Sequence, residues 1–231
     1  MEKKVVAITG ATKGLGLALA EQLAQKGYYL ILGSRNLQEL QEIEKEFQKL
    51  TKIIIIQMDV TKKADCEAFI KKAEKSFGKL DILINNAGIL TRAIIFEQIT
   101  EKELRDNYET NVFGTFFCSQ AAVKVMRKQG YGHIINIGSS AAIDLKTSTI
   151  AYGSSKSAVN ALTAFLRSEL NETAIKVSVI NPAGIKTSLF KQQPERKIDN
   201  FMAVNYVAKK IIDHLESNSN DWNIIIRKEG E

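Results

Sequence analysis

Long apolar runs are missing from this 231-residue chain. No stretch approaches the roughly 18 apolar residues that a membrane-crossing helix needs, so no membrane association is expected. Cysteine is scarce, with only Cys66 and Cys118. They fit neither a metal-ligand spacing nor a disulfide framework, which suits a reducing cytoplasm and predicts no metal site. No signal-peptide pattern precedes the first apolar stretch, which follows Met1-Glu2-Lys3-Lys4 directly. A sustained basic tract is also lacking. The net charge is +6, yet the lysines are scattered among Glu and Gln, as in Glu42-Ile43-Glu44-Lys45-Glu46. That is the pattern of a solvated surface rather than of a nucleic-acid face. Repeats, low-complexity tracts and linkers are absent too. What remains is 45% hydrophobic and 25% charged residues, in a length that suits one α/β domain over residues 1–231 better than two small ones.

Val5-Val6-Ala7-Ile8 is a short apolar run leading into Thr9-Gly10-Ala11-Thr12-Lys13-Gly14-Leu15-Gly16. Leu15, Leu19 and Leu23 then recur at helical spacing up to Gly27. Strand, glycine-rich turn and helix are the setting in which backbone N–H groups and a helix N-terminus cradle a pyrophosphate. Glycines also serve plain turns, and the spacing here is G-x-x-x-G-x-G rather than G-x-G-x-x-G. Residues 28–33 read as a second strand, and Asn36 with Glu39 as a capping pair for a helix marked by Leu37, Leu40, Ile43 and Phe47. At the tip of such a strand an acid holds the ribose 2′-hydroxyl of NAD, whereas a cation accommodates the 2′-phosphate of NADP. This chain has Ser34-Arg35 there, with no acid, and Lys13 in the glycine loop. The pair favours NADP(H) over NAD(H), unless both cations are simply solvated.

Strands over 53–57 and 80–84, a helix marked by Phe69, Ile70, Ala73 and Phe77, and the turns Met58-Asp59-Val60 and Asn85-Asn86-Ala87-Gly88 continue the alternation. Alternation of this kind implies right-handed crossovers and a parallel sheet, with ligands beyond the carboxyl ends of the strands. The glycine turn, Arg35, Asp59 and the Asn-Asn-Ala-Gly turn all fall at those ends. Thr100-Glu101-Lys102-Glu103 is a capping box opening a helical pattern that runs to Gly130 with Asn111 inside it. An asparagine mid-helix either faces solvent or disturbs the helix and holds a water; composition does not choose. A fifth strand over 133–137 ends at Gly138-Ser139-Ser140, and a sixth over 176–181 ends at Pro182. Residues 188–202 form the one long polar, poorly periodic segment, which reads as functional or mobile. A helix marked by Val207, Ala208, Ile211, Ile212 and Leu215 and a strand over 223–227 close the chain.

Tyr152 and Lys156 stand four residues apart and so share one side of a helix if that stretch is helical. A free phenol, with a pKa of about 10, is no acid–base catalyst at neutral pH. An ammonium about 5 Å away, at an effective dielectric of about 20, favours phenolate by roughly 3 kcal/mol, on the order of a hundredfold. That brings a tyrosine into range as a proton donor and acceptor. A surface tyrosine with a lysine one turn on is the plain alternative for the pair taken alone.

Taken together, Thr9-Gly10-x-x-x-Gly14-x-Gly16, Asn85-Asn86-Ala87-Gly88, Asn111, Ser139, Tyr152-x-x-x-Lys156 and the Pro182 turn resemble the short-chain dehydrogenase/reductase family, in order and spacing. Pro182-Ala183-Gly184 departs from the Pro-Gly of many members. The resemblance implies an α/β fold of one domain, a Rossmann fold with a doubly wound parallel seven-stranded sheet ordered 3-2-1-4-5-6-7, and a substrate loop around 183–203. It implies an oxidoreductase moving hydride between NADP(H) and a carbonyl or secondary alcohol. By that resemblance Tyr152 trades a proton with the substrate oxygen. Lys156 lowers the tyrosine pKa and holds the nicotinamide ribose, Ser139 polarises the carbonyl, and Asn111 holds a water leading from Lys156 to solvent. Gly10, Thr12, Lys13, Gly14, Leu15 and Gly16 surround the phosphates; Ser34 and Arg35 meet the ribose phosphate. Asp59 and Val60 meet the adenine, Asn86 the adenosine-side ribose region, and Ile185 and Thr187 the carboxamide and phosphates, with Ala87, Gly88, Pro182 and Gly184 also contacting the cofactor. A homodimer or homotetramer through the helices following Thr100 and Tyr152 is implied as well. The expected substrate walls are 89–96, 141–150 and 190–202, with Ile94, Ile95, Phe96, Ile143 and Leu145 making them partly apolar and Lys191, Arg196 and Lys197 more readily water-facing than anion-binding. A dinucleotide-binding regulator or scaffold without chemistry is the alternative, against which the presence of Ser139, Tyr152 and Lys156 counts.

Overall fold

The computed structural model describes residues 3–91, 95–145, 149–192, 198–217, 219–228 and 230. Strand β1 (Val5–Thr9) is buried along its whole length. Its side chains alternate between two cores: Val6 and Ile8 enter one, Val5 and Ala7 the other. A strand covered on both faces has no polar side to show, which is why this run reads as continuously apolar. Around it lie β2 (Tyr29–Ser34), β3 (Ile53–Gln57), β4 (Ile82–Asn85), β5 (Tyr131–Ile137), β6 (Ala174–Pro182) and β7 (Asn223–Ile226). They form one seven-stranded sheet of order β3-β2-β1-β4-β5-β6-β7, parallel at every pairing. The order and the doubly wound class are those expected.

Helices α1 (Gly14–Gln25), α2 (Leu37–Phe47) and α7 (Val204–Glu216) cover one face through Leu19, Leu23, Leu40, Phe47 and Ile211. Helices α3 (Lys63–Phe77) and α5 (Gly114–Gln129) cover the other through Phe69, Ile70, Ala122 and Val125, joined by Leu166 of α6 (Ile150–Glu169). The strand order reverses between β1 and β4, so the crevice at their carboxyl ends is the place this topology reserves for a ligand. Among the described residues, no helix is long and apolar enough to cross a membrane.

Three local features differ from the sequence expectation. The single helix expected from Thr100 to Gly130 is divided into α4 (Glu101–Asn107), a π-helical turn at Tyr108–Phe113, and α5. The capping box at Thr100 is present, and Gly130 ends α5 in the left-handed region. The widened turn centres on Asn111, whose side chain bonds outward to other elements, a cause of helix distortion at functional sites. Next, Asn36 caps α2 by accepting from the Glu39 amide, but the return half of the box is not made by Glu39. Its carboxylate pairs with Lys13 instead, while the Asn36 amide donates to Ser34 Oγ. Finally, the poorly periodic segment is not wholly irregular. Ser188–Gln192 is a short 3-10 helix, and Ile185 bridges Met202 in parallel fashion. Ile94, Arg196 and Lys197 lie outside the described residues, as does the side chain of Lys191.

Candidate active site

The two central strand tips are tied together. Thr9 Oγ1 accepts from the amides of Asn86 (3.1 Å) and Ala87 (3.0 Å). In return, Asn86 Nδ2 donates to the carbonyls of Thr9 (2.9 Å) and Gly10 (3.0 Å). The Asn86 side chain is therefore committed to shaping the glycine turn. Gly16 makes the same junction possible, since a Cβ there would stand 2.2 Å from the Gly10 carbonyl oxygen. Gly14, at φ +53°, turns the chain into α1. The first turn of that helix has no acidic residue, and Lys13 at its N-cap makes no side-chain cap bond. An uncapped N-terminus with its N–H groups and positive dipole end facing a cavity is an anion site by construction.

Beside it, the tip of β2 brings together Thr12 and Ser34, whose hydroxyls are 3.0 Å apart. Arg35 is exposed at the rim. Lys13 is not a lone cation, because its Nζ lies 2.8 Å from Glu39 Oε1. That hydrogen bond, with smaller help from the Thr12 and Asn36 side chains, holds the Glu39 carboxyl below its ordinary range, against the opposing effect of burial. The strand tip itself carries no acid, as its sequence shows, yet one stands beside it. The acid comes from the first turn of α2 rather than from the strand, because helical side chains lean back toward their N-terminus. Asp59 Oδ1 accepts from both the amide and the hydroxyl of Thr61, at 3.0 and 2.9 Å, and Val60 follows it, buried.

At the other end stand β5 and α6. Lys156 is buried and donates to the Ile137 carbonyl at 2.7 Å. Its Nζ lies 5.8 Å from the centroid of the Tyr152 ring. Burial pushes its pKa down to about 8, so it keeps its proton at pH 7. Ser139 begins the short turn after β5: its Oγ accepts from the Ala141 amide (3.1 Å) and its amide donates to Asn181 Oδ1 (2.8 Å). Ser139 is half-buried, whereas Ser140 is buried. Asn111 does not face solvent; it is wholly buried. Its amide group clamps Ile89, accepting from the Ile89 N–H (2.9 Å) and donating to the Ile89 carbonyl (3.1 Å). It also donates to Ser155 Oγ (2.9 Å), which in turn donates to the Tyr152 carbonyl (2.7 Å). Gly88 fits between these groups, since a Cβ on it would lie 3.1 Å from Asn111 Oδ1 and 3.5 Å from Lys156 Nζ.

One cavity of about 820 Å³ joins both ends. Gly10, Thr12, Lys13, Gly14, Leu15, Ser34, Arg35, Asp59, Val60, Asn86, Ala87, Gly88, Ser139, Tyr152, Lys156, Pro182, Gly184, Ile185 and Thr187 all line it. Gly16 and Asn111 are not among its lining residues; they act from behind the wall, as packing contact and as clamp. Glu39, Met58 and Thr110 line it without having been singled out as ligand contacts. Ile95, Phe96, Ile143 and Leu145 are exposed and are not among its lining residues. Its apolar wall comes from other residues of the same three segments, Ile89, Leu90, Ala141, Phe190 and Phe201, together with Leu189. Phe190 and Phe201 meet edge to face, 5.0 Å between centroids. Gly184 admits the Phe201 ring, which a Cβ would approach to 2.6 Å. Ser139, Tyr152 and Lys156 thus line the same cavity as the residues of the glycine turn and the N-terminus of α1.

The family model described as short chain dehydrogenase matches residues 4–198. An uncharacterised oxidoreductase of Staphylococcus aureus (strain USA300) is 35% identical over 187 residues, 80% of each chain. An alcohol dehydrogenase from the archaeon Thermococcus sibiricus, complexed with 5-hydroxy-NADP, superposes with a TM-score of 0.90 at 26% identity, covering 100% of this chain and 98% of that one. ElxO with NADP bound has a TM-score of 0.88 at 30% identity, covering 97% of both chains. The matched segment holds the glycine turn, the Asn-Asn-Ala-Gly turn, Ser139, Tyr152 and Lys156, and this chain belongs to the short chain dehydrogenase family of oxidoreductases.

Proposed function

We propose that the protein transfers hydride between NADP(H) and the carbonyl or secondary-alcohol carbon of a small or medium, partly apolar substrate, with Tyr152 as general acid/base. The observation that carries this reading is the single cavity in which the uncapped N-terminus of α1 and the Ser139–Tyr152–Lys156 cluster face the same space. The residues present fit a dinucleotide. The glycine turn leaves room for close backbone approach, and the positive end of α1 awaits phosphate. Lys13, Ser34 and Arg35 supply donors for a 2′-phosphate, and the bound nucleotides of ElxO and of the T. sibiricus enzyme support that choice. Asp59 and Val60 would hold the adenine; Ala87, Gly88, Pro182, Gly184, Ile185 and Thr187 would flank the remainder, with Asn86 and Gly16 shaping the turn.

When bound, the nicotinamide supplies or accepts the hydride. The chain's own part is protonic and positional. Lys156 keeps its charge at pH 7 and biases the Tyr152 phenol toward giving up its proton, so the hydroxyl can pass that proton to an alkoxide or take one from an alcohol. Ser139 Oγ offers a hydrogen bond to the same oxygen. Asn111 holds Ile89 and, through Ser155, the Tyr152 turn, and is proposed to position a water behind Lys156. Residues 183–203 serve as the substrate loop, with Phe190 and Phe201 as its apolar face.

The exposed Leu104, Phe113, Phe116 and Phe165 support assembly as a homodimer or homotetramer through α4, the π-helical turn, α5 and α6, and the scarcity of cysteine suits a cytoplasmic setting. The test is a panel of aldehydes and ketones followed by NADPH absorbance, with the wild type and Tyr152→Phe. Tyrosine-dependent oxidation of NADPH on at least one carbonyl is the expected result. Tight NADPH binding with no oxidation across the panel would favour a catalytically silent regulator or scaffold.

A further inference from the structure

Glu39 belongs to no expected catalytic or cofactor-binding set, yet it lines the cavity at the end where the cations lie. Its two oxygens differ. Oε1 takes the Lys13 ammonium at 2.8 Å, across the mouth of the glycine turn. Oε2 is shielded from water and makes no close hydrogen bond among the described residues, although the Thr12 and Asn36 side chains lie near enough to the carboxyl to favour its charge. A buried acceptor left without a donor is costly, and a donor entering the cavity would satisfy it. Lys13 is largely exposed, at 64%, while Glu39 is at 27%, so the ammonium is the partner free to swing away.

These two facts bear on a bound ribose in opposite ways. A 2′-hydroxyl is a donor, and an ionised carboxylate with an open oxygen is the acceptor it requires. A 2′-phosphate has only acceptors when ionised, and its charge repels a neighbouring carboxylate. It also needs the very ammonium that Glu39 holds. We propose that Glu39 is a specificity-determining residue, an internal counterion that competes with a 2′-phosphate for Lys13 and supplies the acceptor for an unphosphorylated 2′-hydroxyl. The site then takes both kinds of nucleotide, and its preference for the phosphorylated one is held below what Lys13 and Arg35 alone would give. The inference rests on the dinucleotide reading above.

The test uses calorimetric titration of the full chain, at low ionic strength, with adenosine 2′,5′-bisphosphate and with 5′-AMP. Wild type, Glu39→Gln, Lys13→Gln and the double variant are compared, each checked by thermal unfolding. Glu39→Gln keeps the size of the side chain and its hydrogen-bonding oxygen but removes the charge. It is expected to raise the affinity ratio of bisphosphate to 5′-AMP about tenfold, the scale of one additional charge-assisted hydrogen bond. In the Lys13→Gln background the same change is expected to raise the ratio by no more than about threefold, since coupled residues are non-additive. An unchanged ratio in Glu39→Gln would overturn the proposal, and so would an equal rise with and without Lys13. Wild type that binds neither nucleotide, NADPH nor NADH refutes the dinucleotide site itself. Normal binding with a silent Glu39→Gln refutes only the role of Glu39.

Discussion

The Lys156 ammonium lies 5.8 Å from the centre of the Tyr152 ring, while its own hydrogen bond goes to the Ile137 carbonyl at the end of β5, 2.7 Å away. A lysine stem has ample rotamer freedom, and one helical turn of separation alone would not fix its head. The strand carbonyl does so. It ties α6 to the sheet's rim and leaves the charge under the phenol.

The first consequence is kinetic. Tyr152→Phe removes the acidic hydrogen without changing the ring's packing. Turnover is expected to fall by about 10²–10⁴-fold, the range for losing a general acid/base, with NADPH affinity within about twofold of wild type. Fluorescence titration of NADPH beside steady-state rates checks both, and retained turnover would remove Tyr152 from the chemistry.

Burial of Lys156 also has a pH signature. Its pKa is pushed from the ordinary 10.5 to about 8 in the folded chain. Between those values the unfolded chain holds more protons than the folded one, so the stability contributed by this group rises with pH across about 8 to 10.5 and is lowest below 8. The rise amounts to about 3 kcal/mol at most. Urea unfolding of wild type and Lys156→Met at pH 7 and at pH 10 isolates it, because other groups cancel in the difference. Wild type is expected to gain on the variant at the higher pH; a pH-independent difference would contradict the buried charge.

Asn111→Ala tests the clamp. Alanine is the better helix former, so local propensity predicts a gain. The structure predicts a loss of about 1–3 kcal/mol, because the half-buried N–H and carbonyl of Ile89 lose their partners. Turnover should fall as well, through the Ser155 link to Tyr152. Chemical denaturation with parallel kinetics decides, and unchanged stability would show that the three bonds contribute nothing net.

Assembly is addressed by Phe165→Glu. This ring is 79% exposed on α6, so a charge there costs the isolated chain little. If α6 is part of the subunit interface, the variant is expected to run as a monomer by light scattering where wild type does not. Identical masses for both would place any interface elsewhere.

Much of this protein can be read from the chain itself, because the signals involved are local. Alternation of apolar runs with helical spacing specifies strands and helices, the βαβ rule specifies a parallel sheet, and the residues at the strand tips then have to share one crevice. Thr9, Asn86 and Ser139 fall at those tips, whereas Tyr152 and Lys156 stand out by their four-residue spacing and by the family resemblance. Three things were decided only by tertiary structure. Glu39 reads as half of a capping box, and its carboxylate pairs instead with the Lys13 ammonium of the glycine turn. The helix through Asn111 looked continuous, and it widened because the asparagine's bonds run to Ile89 and Ser155 on other elements. Within the expected wall segments, Ile89, Ala141, Phe190 and Phe201 line the cavity while Phe96 and Leu145 do not, since which side chain turns inward depends on what packs beside it. Periodicity carries information over a turn or two of chain. Which carboxylate meets which ammonium is settled by contacts between elements distant in sequence, and those exist only once the sheet has closed.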